Sequence, residues 1–209
     1  MLVDLTVKEF LNKVVGSDPV PGGGSIAALN GAIASALAAM VANLTIGKKG
    51  YELHEELMRH ISEVALRQKA TFVEDIDRDS EAYDKVFACF KMPKATDEEK
   101  AARSAAIQEA TKFAALVPMQ VARNAYELMT VIMDVARLGN RNAVTDACVA
   151  MMSARSAVLG ALMNVRTNLG SLKDKEFVAK LQSEADELER LACAKEKELL
   201  DEINQELKV

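Results

Sequence analysis

Aromatic rings are scarce in this sequence: there is no tryptophan, and Phe and Tyr make up 4% of 209 residues, although half of all residues are hydrophobic. A core of this composition must be filled by Ala, Leu, Val, Ile and Met, which favours closely packed helices over a ring-filled interior. Cysteine is also sparse. Cys89, Cys148 and Cys193 are odd in number, far apart and without a CxxC pair, which excludes a disulfide framework and a zinc site and predicts buried free thiols in a reducing cytoplasm. Only two histidines are present. His54 and His60 stand six residues apart among charged neighbours, not at the HExxH spacing of a helical metal site, so both are expected on the surface and no metal is expected. There is no excess of positive charge either: 26 basic against 31 acidic residues give a formal net charge of -5. Without a basic stripe to neutralise phosphates, nucleic acid is excluded as an expected partner. The N-terminus opens Met1-Leu2-Val3-Asp4 with no basic n-region ahead of an apolar stretch, so no secretion signal is read and a cytoplasmic location is expected.

What the sequence does contain is helical punctuation. The length suits one substantial core, and a single domain over residues 1–209 is expected. Thr6 and Glu9 form a capping box ahead of Val7, Phe10, Leu11 and Val14, predicting a first amphipathic helix that ends near Gly16. Pro19-Val20-Pro21-Gly22-Gly23-Gly24 breaks both helix and strand ladders, and Ser25 is placed as the N-cap of the following apolar helix. That segment, Ile26 to Ile46, has membrane-spanning length. Its Ala, Gly, Ser and Asn content and lack of an aromatic belt favour a buried central helix instead, so no membrane association is expected. Residues 52–90 keep helical spacing as one long or broken helix. A second capping box, Thr96 with Glu99, opens a helix to about Ala115, and Pro118 is assigned to the first turn of another reaching Leu138. Gly139-Asn140 reads as a stop with a positive backbone dihedral. Asn142 is expected to cap a small-residue helix through Val165, and a charged helix with an apolar stripe from Phe177 to Ile203 closes the chain. The predicted fold is all-α, a multihelical bundle of about seven helices around the small-residue-rich central one.

Several groups could carry chemistry. Gly22, Gly23 and Gly24 before Ser25 let backbone approach a ligand at a helix start, whose free amides favour an anion; a purely structural turn into a crowded helix fits equally well. The P-loop ending and preceding strand are both missing. Asp75-Ile76-Asp77-Arg78-Asp79 fails as a calcium loop, because Ser80 and Val86 stand where Gly and Glu are required. On a helix Asp75 and Asp79 share a face while Asp77 points away, so at least one faces the bundle or all form a solvated patch. Asp146 lies among Ala143, Val144, Ala147, Val149 and Ala150. It is either on a narrow polar stripe or in a crevice where desolvation suits acid/base work. Asn140, Asn142, Asn164 and Asn168 offer amides that could orient a heterocycle or simply cap turns.

Taken in order, these pieces resemble a known family. Pro19 to Ser25 with Ala27-Ala28, Asn43-Leu44-Thr45-Ile46-Gly47-Lys48-Lys49, Ile76-Asp77-Arg78-Asp79 with Ala82-Tyr83, Pro93-Lys94, Arg103, Pro118, Gly139-Asn140 with Thr145-Asp146, and Asn164-Val165 with Asn168 are similar to the cyclodeaminase domain of formiminotransferase-cyclodeaminase. The resemblance implies a helical bundle, a homodimer, and a tetrahydrofolate crevice near the subunit interface, with the folate as substrate and no permanently bound cofactor. It implies formiminotetrahydrofolate cyclodeaminase activity, supplied by a separate formiminotransferase, or methenyltetrahydrofolate cyclohydrolase activity. Asp146 is the expected acid/base, with Asp77 or Asp79 as second carboxylate and Lys48 holding a folate carboxylate or developing charge. The Gly22–Ser25 turn would give backbone donors, and Asn43, Asn140, Asn164 and Asn168 would orient the pterin. The reading from another class is a non-catalytic helical module that recruits a partner helix through its charged C-terminal stripe.

Overall fold

A computed structural model describes residues 1–207. Among them are six α-helices: α1 (Val7–Val14), α2 (Gly23–Asn43), α3 (Glu55–Phe90), α4 (Asp97–Leu138), α5 (Val144–Leu169) and α6 (Lys175–Glu206). Three short 3-10 turns complete the secondary structure, with no strand among the described residues. The all-α expectation holds, and both capping boxes form, Thr6 with Glu9 and Thr96 with Glu99.

The helix count falls from about seven to six because α4 runs unbroken through Pro118. An interior proline removes one backbone donor and usually ends a helix; here Pro118 is buried, and the carbonyl it leaves open is satisfied from α5. Residues 55–90 likewise form one unbroken helix. Three local assignments are corrected. The N-cap of α2 is Gly22, and Ser25 lies inside the first turn with its hydroxyl engaged by α3. Gly139 has φ -84, not a positive dihedral; it is glycine because a Cβ would collide with the Val135 carbonyl and crowd Thr45. Asn142 does not cap α5, whose N-cap is Ala143 with no side-chain bond; Asn140 caps the 3-10 turn Arg141–Ala143 ahead of it by accepting from the Asn142 amide, and Asn142 itself is exposed.

Residue pairings set the topology. Ser25 meets Ile76, Gly31 lies against the Phe72 ring, and Asn43 bonds Ser62, so α3 runs antiparallel to α2. Gly23 faces Asn164 and Ala27 faces Gly160, so α5 is antiparallel to α2 on another side. Fully buried Ala28, Ala34, Ala38, Ala154, Ala157 and Ala161 let these backbones approach closely. Helix α6 crosses the outside of α4 and α5 through ion pairs such as Arg123–Glu184 and Arg166–Glu189. Such partly exposed pairs fix orientation more than they add stability. Leu181, Leu199 and Ile203 of α6 point inward.

Two expectations about burial change. Of the three thiols only Cys148 is buried, and Cys193 is exposed on α6. Helix α2 is not enclosed: α3, α4 and α5 cover part of it, leaving Ile33 and Met40 exposed, with Leu44 just after it, and Val149, Met152 and Met163 of α5 are exposed as well. Both segments are long and apolar enough to cross a membrane by length and composition, yet in this fold half or more of their most apolar stretch is buried in protein.

Candidate active site

The N-terminal end of α2, the C-terminal third of α3 and the C-terminal end of α5 converge on a cleft of about 310 Å³. Pro19, Val20 and the glycine triplet form one wall, Asp79 and Tyr83 a second, and Asn164, Thr167 and Asn168 a third; Ala82, Val86 and Ala114 add apolar surface. The convergence follows from the antiparallel pairing of α3 and α5 with α2, which returns residues distant in sequence to the same end.

Asp79 is the one carboxylate among the residues lining this cleft. Its carboxylate lies against the first turn of α2 at Gly24, where any Cβ would overlap it. The absence of a side chain is therefore what lets the acid reach the free amides of the helix start. The fully buried Ser25 hydroxyl donates to the Ile76 carbonyl at 2.9 Å and lies 3.4 Å from Asp79 Oδ2. Burial raises the pKa of Asp79, opposed in part by hydrogen bonds from the Ser25 hydroxyl and backbone. The result is an acid displaced towards neutrality at a polar crevice, the condition general acid/base chemistry requires.

Two of the predicted asparagines meet it there. Asn164 donates to the Gly160 carbonyl at 2.9 Å and borders Gly23, and Asn168 donates to the Ala114 carbonyl at 2.9 Å. Each bond uses one N–H of the amide and fixes the amide plane at the edge of the cleft. Asp77, by contrast, accepts from the Leu2 backbone amide at 2.7 Å and ties the N-terminal segment to α3. Asp75 is buried beside Arg78, with its pKa raised by that burial.

The remaining predicted residues gather at the opposite end of α2. Asn43 accepts from Ser62 at 2.8 Å; Asn140 donates to the Leu44 carbonyl and takes Thr45 Oγ1 with its backbone amide at 2.8 Å. Lys48 follows in the turn after α2, and Asp146 sits half-buried in the first turn of α5. A helix of 21 residues is about 30 Å long, so within one chain these two groups cannot touch a common small molecule. Sequence reasoning gave Tyr83 no role at the site. Its signal was present, since a residue four after Asp79 occupies the same helix face.

Residues 6–187 match the sequence profile described as formiminotransferase-cyclodeaminase. The chain belongs to this family. It is 42% identical over 172 residues to methenyltetrahydrofolate cyclohydrolase of Methylorubrum extorquens, covering 82% of this chain and 83% of that one. It is 31% identical to the formimidoyltransferase-cyclodeaminase of Rattus norvegicus over 86% of this chain, but spans only 33% of that longer relative. The crystal structure of formiminotetrahydrofolate cyclodeaminase from Thermotoga maritima superposes with a TM-score of 0.85 at 32% identity, covering 97% of this chain and 99% of that one.

Proposed function

We propose that this member of the formiminotransferase-cyclodeaminase family is an enzyme acting on the one-carbon bridge between N5 and N10 of a tetrahydrofolate derivative, with Asp79 as its acid/base. The observation that carries this reading is the solitary, desolvated Asp79 between the α2 helix start and the amides of Asn164 and Asn168. In the cyclohydrolase direction, favoured by similarity along most of a cyclohydrolase, water adds to the methenyl carbon and gives a proton to Asp79. The tetrahedral carbinolamine then breaks its bond to N5, which takes the proton back from Asp79. As the hydroxyl becomes a carbonyl it releases one proton to solvent, leaving 10-formyltetrahydrofolate. In the cyclodeaminase direction, favoured by the likeness to the Thermotoga enzyme, N10 attacks the carbon of the protonated formimino group (–CH=NH2+), Asp79 relays the N10 proton to the resulting amino nitrogen, and that nitrogen leaves as ammonia while the methenyl cation forms. Proton transfer of this kind typically contributes about 100- to 10,000-fold.

A second copy of the chain supplies what one chain separates. Ile33, Met40 and Leu44 present exposed apolar side chains along α2 and its C-terminal end, and Val149, Met152 and Met163 do so along α5. Such a surface suits an isologous contact, in which the same patch meets itself. Lys48 and Gly24 are equidistant in sequence from Ala36, and Asp146 and Arg166 from Ser156. An isologous dimer with its two-fold axis near Ala36 and Ser156 would carry Lys48 and Asp146 of the partner subunit towards the end of α2 that holds the Asp79 cleft, there to act at the one-carbon bridge.

The deciding experiment is one turnover assay with methenyl- and formiminotetrahydrofolate, following methenyl absorbance and ammonia. Activity on either, lost in Asp79→Asn, is the expected result; turnover of neither substrate by folded protein refutes the reading. Sedimentation tests the dimer. Mixed Asp79→Asn and Lys48→Ala subunits should regain about a quarter of wild-type activity, since half the dimers are mixed and each has one intact site.

A further inference from the structure

A second cleft, about 520 Å³, opens directly beside the first and shares Pro19, Val20 and Tyr83 with it. Its other walls are Leu2 and Lys13 from the N-terminal segment, Asp18 from the following loop, and Ser80, Asp84 and Phe87 from α3. In a chain so poor in rings, two stand together here: Tyr83 and Phe87, one helical turn apart, have centroids separated by 6.2 Å and planes within 13°. Both are exposed, which in a core-filling role would waste their apolar area. Lys13 is the one base among the described residues lining the cleft, and Lys91 stands over the outer Phe87 ring at 4.5 Å from its centroid.

We propose that this second cleft binds the aminobenzoyl-glutamate arm of the substrate, with the aryl ring packed against the exposed surfaces of Tyr83 and Phe87 and Lys13 meeting a glutamate carboxylate. This rests on the folate reading above and deepens it. A reduced folate is a polar bicyclic head, a flat aryl amide and one or more carboxylates in a row. The two clefts offer those surfaces side by side: amides and an acid in the first, stacked rings and a cation in the second. Aryl groups prefer offset stacks and edges on such rings, at about 0.5–1.5 kcal/mol per pair beyond area burial. Asp18 and Asp84 share the cleft and repel a carboxylate, which makes Lys13 the one attractive partner for it there.

The test uses the whole chain with a tetrahydrofolate substrate of one glutamate and p-aminobenzoylglutamate as a probe. Phe87→Ala and Lys13→Ala should each raise KM by about 3- to 10-fold with kcat held within about twofold, the signature of lost uniform binding. Asp84→Asn should lower KM, and p-aminobenzoylglutamate should inhibit wild type competitively but Phe87→Ala much more weakly. All three positions are exposed, so folding is retained. Normal wild-type turnover with an unchanged KM in both Phe87→Ala and Lys13→Ala overturns the arm site while leaving the folate reading intact. Failure of wild type to turn over any reduced folate removes both.

Discussion

Asn168 repairs the interruption that Pro118 makes in α4: its Nδ2 donates to the Ala114 carbonyl at 2.9 Å, the acceptor four residues before a proline that has no N–H to offer. The bond ties α5 to α4 at the edge of the candidate active site, since both Ala114 and Asn168 line the cleft. An unbonded carbonyl in that setting would otherwise cost a desolvated acceptor.

This pairing makes a coupled stability prediction. Asn168→Ala should lower unfolding free energy by about 1–3 kcal/mol, the usual range for stranding a buried partner. In a Pro118→Ala background residue 118 regains an N–H, so the same substitution should cost less than half as much. Chemical denaturation of the four proteins reads the difference, and strictly additive effects would disprove the repair.

Gly24 predicts a catalytic defect without unfolding. A methyl at this position overlaps the Asp79 carboxylate, and the flexible acid swings away at less cost than the helix shifting. Gly24→Ala should lower kcat about 100-fold or more, in the range expected for lost acid/base catalysis. Its circular dichroism should stay helical; near-normal turnover would show that the position of Asp79 is unimportant.

The raised pKa of Asp79 carries a sign that thermal melts can check. The folded state holds this proton more tightly than the unfolded state, so stability falls as pH rises from the ordinary aspartate value through the folded-state value. Asp79→Asn, which removes the buried charge, should melt higher than wild type at neutral pH. The two should converge in acid below the unfolded pKa. A constant difference across that range would contradict the desolvation argument.

At the far end of α2, Thr45 is nearly fully buried, donates to the Val41 carbonyl at 2.8 Å and accepts from the Asn140 amide at 2.8 Å. Thr45→Val should destabilise by about 1–3 kcal/mol by stranding that amide, and Thr45→Ser should restore most of it. Equal stability of Val and Ser variants would show the hydroxyl to be idle.

Local grammar alone determined the helices: Thr6 with Glu9, Thr96 with Glu99, the Pro19–Gly24 break and the Ala-rich stretch after it act over a few residues, so their outcome can be read from the chain. The ordered motifs carried the family, because the order of short strings along a chain is legible before the fold is known. Tertiary structure decided whether Pro118 ends a helix, since that depends on an asparagine 50 residues away. It also separated the predicted site residues into two groups, Asp79 with Asn164 and Asn168 at one end of α2 and Asp146 with Lys48, Asn43 and Asn140 at the other. Sequence order cannot express that division: which ends meet follows from antiparallel packing of α3 and α5 on α2, and burial of a particular carboxylate exists only once those helices close around it.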